Sequence, residues 1–300
     1  MTEEIKKCGY VAIIGRPNTG KSTLLNAILG QKISITSRKA QTTRHRILGI
    51  KTQNDYQAIY VDTPGLHLAN KKALNQALNK IANSTIHDVD VVIFLVDAKK
   101  WNVEDDQVLT ALARCTVPVV LAINKVDKIK DKAALLPLIE SLSRKREFAA
   151  VIPLSARNND NIELIEDAIR GLLPESHGFY SSEQVTDRTE RFLGAELIRE
   201  KLMRMLGEEL PYSLAVEIEK FEVTEKITNI SAIIWVEREG QKAIVIGKQG
   251  EMLKKIGTSA REDMEKMFDC HVYLKLWVKV KEGWTNDARA LKSLIYKDEQ

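Results

Sequence analysis

Short apolar runs of β-rich composition alternate with longer amphipathic stretches over the first half of the chain. The runs at 10–14, 47–52, 56–61, 91–96, 119–123 and 151–153 read as strands bounded by polar and turn-forming residues. Helical spacing of apolar positions falls between them, at 21–29, 73–86, 105–114, 132–143 and 162–172. This alternation predicts a doubly wound α/β domain with a mostly parallel sheet, covering residues 1–175. Such folds bind ligands beyond the carboxyl ends of their strands, so chemistry is expected just after each run.

The pattern then changes. Residues 176–189 are polar, contain Gly178, Ser181 and Ser182, and show no apolar period, which predicts a linker. Residues 190–300 follow a different order: a helix over 190–206, strands over 213–223 and 230–236, and the turn Gly247-Lys248-Gln249-Gly250. A helix over 251–268, an alternating strand over 272–280 and a tail helix over 287–295 complete it. The stretch 241–246 is too short to assign.

Bulk properties narrow the class without defining it. A chain of 300 residues with 44% hydrophobic and 29% charged residues is an ordinary globular composition, long enough for two domains. The apolar run 89–96 is interrupted by Asp90 and too short to cross a bilayer, and residues 1–7 lack the apolar core of a signal peptide. Cys8, Cys115 and Cys270 are widely spaced and form no C-x-x-C pair, so neither a disulfide framework nor a zinc site is expected. Buried thiols in a reducing cytosol are the expectation. The net charge of +4 is mild, although residues 181–237 are acidic and residues 238–300 basic.

Candidate chemistry begins at Gly15-Arg16-Pro17-Asn18-Thr19-Gly20-Lys21-Ser22, which fits G-x-x-x-x-G-K-[ST] between a strand and a helix. The glycines let backbone N–H groups turn toward phosphate oxygens, Lys21 adds positive charge, and Ser22 offers a magnesium ligand. Asp62-Thr63-Pro64-Gly65 follows the third run; Asp62 can reach Mg²⁺ and the Gly65 N–H the γ-phosphate. Asn124-Lys125-Val126-Asp127 ends the fifth run, where the Asp127 carboxylate can accept from both the ring N–H and the amine of guanine. Adenine lacks that donor pair. Ser155 and Ala156 follow the sixth run and can present N–H to the base oxygen. In the polar stretch 36–46, Thr42 and Thr43 can each supply a hydroxyl to Mg²⁺ when a γ-phosphate is present, with Thr43 favoured.

Taken in order, G-x-x-x-x-G-K-S, T-T-R, D-T-P-G, N-K-V-D and S-A form the motif set of the translation-factor-related GTPases. Within it, G-R-P-N-T-G-K-S and A-Q-T-T-R-H-R resemble the Era family, and V-I-G-K-Q-G-E-M-L-K-K-I-G resembles the nucleic-acid loop of a K-homology domain. The resemblance implies an α/β P-loop GTPase domain followed by a smaller α+β K-homology domain of type II. It implies GTP or GDP and Mg²⁺ as ligands, with Ser22, Thr43 and Asp62 at the metal and Thr43, Asp62 and Gly65 in hydrolysis. It further implies a monomer that binds the 3′ region of 16S ribosomal RNA and assists 30S subunit maturation, coupled to growth and the cell cycle. The implied location is the cytoplasm, with peripheral association at the inner membrane.

Two departures bear on turnover. Leu66 occupies the position where Ras-like enzymes carry a water-orienting Gln, so slow intrinsic hydrolysis is expected. In related GTPases an Asn at the position of Asn18 ligates K⁺; the alternative is that Asn18 only stabilises the turn. For the second domain, Gly247, Lys248, Gln249, Gly250, Lys254 and Lys255 are the expected RNA contacts, clamping about four nucleotides. Gln249 stands where a glycine is common. Lys275, Lys279 and Lys281 share one side of the last strand, either as a solvated face or as RNA contacts. Two other readings stay open at this stage: an RNA-binding module with negligible turnover, and a GTPase whose second domain binds protein.

Overall fold

Two runs decide the architecture of the first half. Val91–Asp97 and Tyr56–Asp62 are apolar almost throughout and buried nearly end to end, the signature of strands covered on both faces. The computed structural model describes residues 4–37, 39, 42–62, 88–207, 210 and 214–284. The expected helix over 73–86, the residues Thr63, Pro64, Gly65 and Leu66, and the tail helix over 287–295 lie outside the described residues.

Six strands form the first sheet: β1 (Lys7–Ile14), β2 (Ile47–Gln53), β3 (Tyr56–Asp62), β4 (Val91–Asp97), β5 (Val119–Asn124) and β6 (Ala150–Leu154). Their order is β2-β3-β1-β4-β5-β6. Only β2 runs antiparallel to its neighbour, β3; the other pairs are parallel. Helices α1 (Lys21–Leu29), α2 (Val103–Leu112), α3 (Leu135–Ser143) and α4 (Ile162–Leu172) connect or flank these strands. β1 begins three residues earlier than the apolar run, because Lys7, Cys8 and Gly9 pair with Tyr56, Gln57 and Ala58. α2 begins at Val103 because Asn102 and Asp105 form a capping box, with the Asn102 side chain accepting from the Glu104 and Asp105 amides.

The polar stretch expected as a linker is fastened to this sheet as far as Asp187. The Cys8 amide donates to the Pro174 carbonyl, and the Ile50 amide to the Val185 carbonyl at 2.7 Å. The buried Gln57 side chain holds the strap by accepting from the amides of Phe179 and Tyr180 and donating to the Tyr180 carbonyl. Such pairing is carried by backbone, so it leaves no apolar period.

The chain divides into two compact units. The second takes in the described residues between Ile35 and Thr42 and those from Arg188 on. Its sheet has the order β7-β8-β9, from Ala215–Val223, Ile227–Val236 and His271–Val280, with β7 antiparallel and β9 parallel to β8. Helices α5 (Glu190–Met205), α6 (Glu239–Ile246) and α7 (Glu251–Phe268) supply the rest of its core, with Leu197 and Ile198 of α5 and Ala260 and Met264 of α7 fully buried. The stretch too short to assign from sequence is α6.

Candidate nucleotide site and nucleic-acid interface

The loop between β1 and α1 is built by close approach. A Cβ on Gly15 would collide with the Leu95 carbonyl, and one on Gly20, at φ +106°, with the Asn124 side chain. Asn18 is also left-handed, at φ 63°. Arg16 is locked outward by an ion pair to the buried Asp105 at 3.0 Å. Lys21, 7% exposed, donates back to the Gly15 and Arg16 carbonyls at 3.0 and 3.1 Å. Burial lowers its pKa to about 8, partly opposed by the Asp62 carboxylate and reinforced by Arg16. An ammonium held this way lacks solvation that phosphate oxygens would restore.

Three hydroxyls converge on Asp62 at the end of β3. Ser34 and Ser22 donate to its Oδ2 at 2.7 and 2.8 Å, and Thr43 Oγ1 lies 3.4 Å from the same oxygen and 2.9 Å from Ser22 Oγ. Thr42 turns away and donates to the Lys39 carbonyl, so Thr43 is the threonine at this cluster. Asp62 is fully buried, and among the described residues its Oδ1 has no hydrogen-bond partner. Burial raises its carboxyl pKa despite the Ser34 hydrogen bond, the Lys21 charge and the other hydroxyls. An all-oxygen set around an orphaned carboxylate oxygen fits Mg²⁺.

The base-side loops are tied to the phosphate loop through one side chain. Asn124 donates to the Thr19 carbonyl at 2.8 Å and accepts from the amides of Lys125 and Ala156 at 2.7 and 3.0 Å. Lys125, left-handed at φ 68°, reaches across to the Asn18 carbonyl and pairs with Asp97 at 2.8 Å. Burial alone would raise Asp97, but hydrogen bonds from Lys125 and the Lys99 amide outweigh it and hold the carboxyl below its usual range. Asp127 accepts from Ser155 Oγ at 2.7 Å, which orients its carboxylate; Val126 opens the short turn that carries it. Asp97, Asp105 and Ser34 were not singled out from sequence. Asp97 had a signal, since it directly follows β4; Ser34 had none.

In the second unit, a Cβ on Gly247 would meet the Met252 Cβ at 2.6 Å, while Gly250, at φ +81°, faces open space. Gln249 takes a left-handed φ of 52°, a conformation that costs a non-glycine residue about 1 kcal/mol or more. No side chain caps the start of α7, whose first amide, on Glu251, donates to the Lys248 carbonyl. A groove of about 470 Å³ runs from Gly250 along Leu253, Lys254, Gly257 and Arg261 to Tyr273 on β9. Lys255 lines a neighbouring depression with Met205 and Ser259 instead. Lys275 and Lys279 stand over the rings of Tyr273 and Trp235 at 5.3 and 5.9 Å. Arg261 and Tyr273 escaped the sequence reading because nothing in spacing alone brings α7 and β9 together.

A phosphate loop, the N-K-V-D turn after β5 and a G-x-x-G loop in a second unit with its own sheet define a P-loop GTPase joined to a K-homology domain. Family models agree: residues 10–125 match "50S ribosome-binding GTPase" and residues 209–285 match "KH domain". GTPase Era of Histophilus somni is 58% identical over 300 residues, and that of Haemophilus influenzae 58% over 302, each alignment covering both chains in full. The chain belongs to the Era family of GTPases. Two solved Era structures superpose on it, each covering 97% of this chain and 99% of the other. One is an Aquifex aeolicus variant bound to GDP·AlF4⁻ (38% identity, TM-score 0.92); the other is in complex with MgGDPNP and nucleotides 1506–1542 of 16S ribosomal RNA (39%, 0.93).

Proposed function

We propose that the chain binds GTP and GDP with Mg²⁺, hydrolyses GTP slowly, and uses its K-homology unit to hold the 3′ region of 16S ribosomal RNA during 30S subunit assembly. The carrying observation is the Ser22–Thr43–Asp62 cluster with its orphaned carboxylate oxygen, next to a desolvated Lys21. Bound Mg²⁺ would neutralise charge on the β- and γ-phosphate oxygens. The protein's own part is to cradle the phosphates in the 15–22 backbone, pair them with Lys21, and read guanine with Asp127. Thr43 senses the γ-phosphate side, with the Gly65 N–H of the D-T-P-G motif as its counterpart. Leu66 can neither donate to nor accept from a water, so turnover is slow until the switch loops, a cation or a partner assists. Phosphate release from GTP, compared with a Lys21→Ala control, tests the hydrolase reading.

For RNA, the positive end of the α7 dipole, Lys248, Lys254 and Gly250 support phosphate clamping. Gly250→Asp forces a strained φ and adds a negative charge, so affinity for a short 16S 3′-end RNA falls roughly tenfold or more while GTP hydrolysis is unchanged. Unaltered RNA affinity would place the RNA contact away from the G-K-Q-G loop. K⁺ is the proposed assisting cation, through Asn18; initial rates in matched K⁺ and Na⁺ buffers then differ, and equal rates remove it. No helix among the described residues is long and apolar enough to cross a membrane, so the proposed inner-membrane association is peripheral, on a cytoplasmic monomer.

A further inference from the structure

Helix α5 buries four charged side chains: Glu196, Arg199, Glu200 and Lys201 are 0–5% exposed. Charges on a two-domain protein's helix normally face water, and a buried ion pair is rarely a net source of stability. Thr36 and Thr42 lie against part of this charged face. Arg199 grips Glu196 through two bonds of 2.6 Å and donates to the Thr42 carbonyl. Glu200 accepts from the Thr36 amide at 2.9 Å, and Arg204 donates to the Thr36 carbonyl and hydroxyl at 3.1 and 2.8 Å. Lys39 adds a bond to the Leu206 carbonyl at the helix end.

Both ends of the 35–42 segment lead to the metal cluster. Ser34 precedes it and Thr43 follows it, and both hydroxyls address Asp62 Oδ2. Arg199 therefore holds the carbonyl of the peptide unit that links Thr42 to Thr43. A hydroxyl one residue from a clamped carbonyl has little freedom to leave the cluster.

We infer that Arg199, Glu200 and Arg204 are positioning residues for the nucleotide switch, holding the 35–42 segment so that Thr43 stays at the magnesium cluster when a γ-phosphate is present. The inference rests on Thr43 as a magnesium ligand. By linkage, whatever affinity the clamp adds for the triphosphate form, the triphosphate adds to the clamp. α5 is then the element of the second unit that feels the γ-phosphate, a role absent from its sequence signature as an ordinary core helix.

The test is titration of the full-length protein with fluorescent GDP and a fluorescent non-hydrolysable GTP analogue in Mg²⁺. Glu196→Gln/Arg199→Met removes the grip without stranding a buried charge. Arg204→Ala removes a half-exposed contributor that folding tolerates, and decides alone if the double variant does not fold. Expected is a loss of analogue affinity of roughly fivefold or more in the double variant, smaller in Arg204→Ala, with GDP affinity unchanged in both. Thr43→Ala, run in parallel, should lower the analogue-to-GDP preference at least as much. A normal preference in both clamp variants alongside a reduced one in Thr43→Ala overturns the inference alone. A normal preference in Thr43→Ala overturns the magnesium reading and the inference with it. Equal losses for both nucleotides mark general damage to the fold and also count against it.

Discussion

Asp127→Asn lowers GTP affinity roughly a hundredfold or more and creates binding of xanthosine triphosphate. In the proposed site the carboxylate would accept from the ring N–H and the exocyclic amine, two charge-assisted bonds of about 1.5–3 kcal/mol each. Ser155 Oγ fixes the carboxylate from one side at 2.7 Å, so the loss is not recovered by rotation. An amide offers one acceptor and one donor. It still matches the ring N–H but opposes its NH₂ to the guanine amine. Xanthine carries a carbonyl there and matches the amide. Competition of both triphosphates against a fluorescent guanine nucleotide measures the exchange; retention of GTP preference would place the base elsewhere.

Lys21→Ala lowers GTP hydrolysis roughly a hundred- to a thousandfold, the scale of losing one preorganised electrostatic partner of a transferring group. The native residue carries a second, pH-dependent signature. Its pKa near 8 lies below the 10.5 of a free lysine because burial disfavours the charge. Between these values the unfolded chain binds the extra proton and the ligand-free fold does not, so this group's contribution to stability rises with pH across that window. Phosphate oxygens favour the ammonium. Above about pH 8, wild-type protein therefore takes up a proton on binding Mg²⁺–GTP, and affinity falls as pH rises. Calorimetry in buffers of different ionisation enthalpy reads the uptake, which Lys21→Ala abolishes; uptake persisting in that variant would assign the proton to another group.

Much of the nucleotide site was legible because its parts sit at strand ends. Gly15–Ser22, Asp62, Asn124–Asp127 and Ser155 each follow an apolar run, and the parallel sheet order brings those ends together. The residues that hold them in place were less visible. Asp105 and Ser34 act through tertiary pairing, with no spacing to mark it. The strap accepts from β2 amides through the Val185 carbonyl and the Asp187 carboxylate, and it reads as polar chain. α6 is eight residues long, below the length at which periodicity separates a helix from a strand. The burial of the α5 charges left no mark in the helix pattern, which carries no record of what a distant loop lays across it.

The inferred clamp on Thr36 and Thr42 gives the RNA-binding unit a γ-phosphate-dependent grip. Its most direct test is fluorescence polarisation of a labelled 16S 3′-end RNA titrated with the protein bound to Mg²⁺ and either GDP or a non-hydrolysable GTP analogue. A difference of roughly fivefold or more between the two affinities, abolished in Thr43→Ala, is the predicted result. Equal affinities in the two nucleotide states would contradict it.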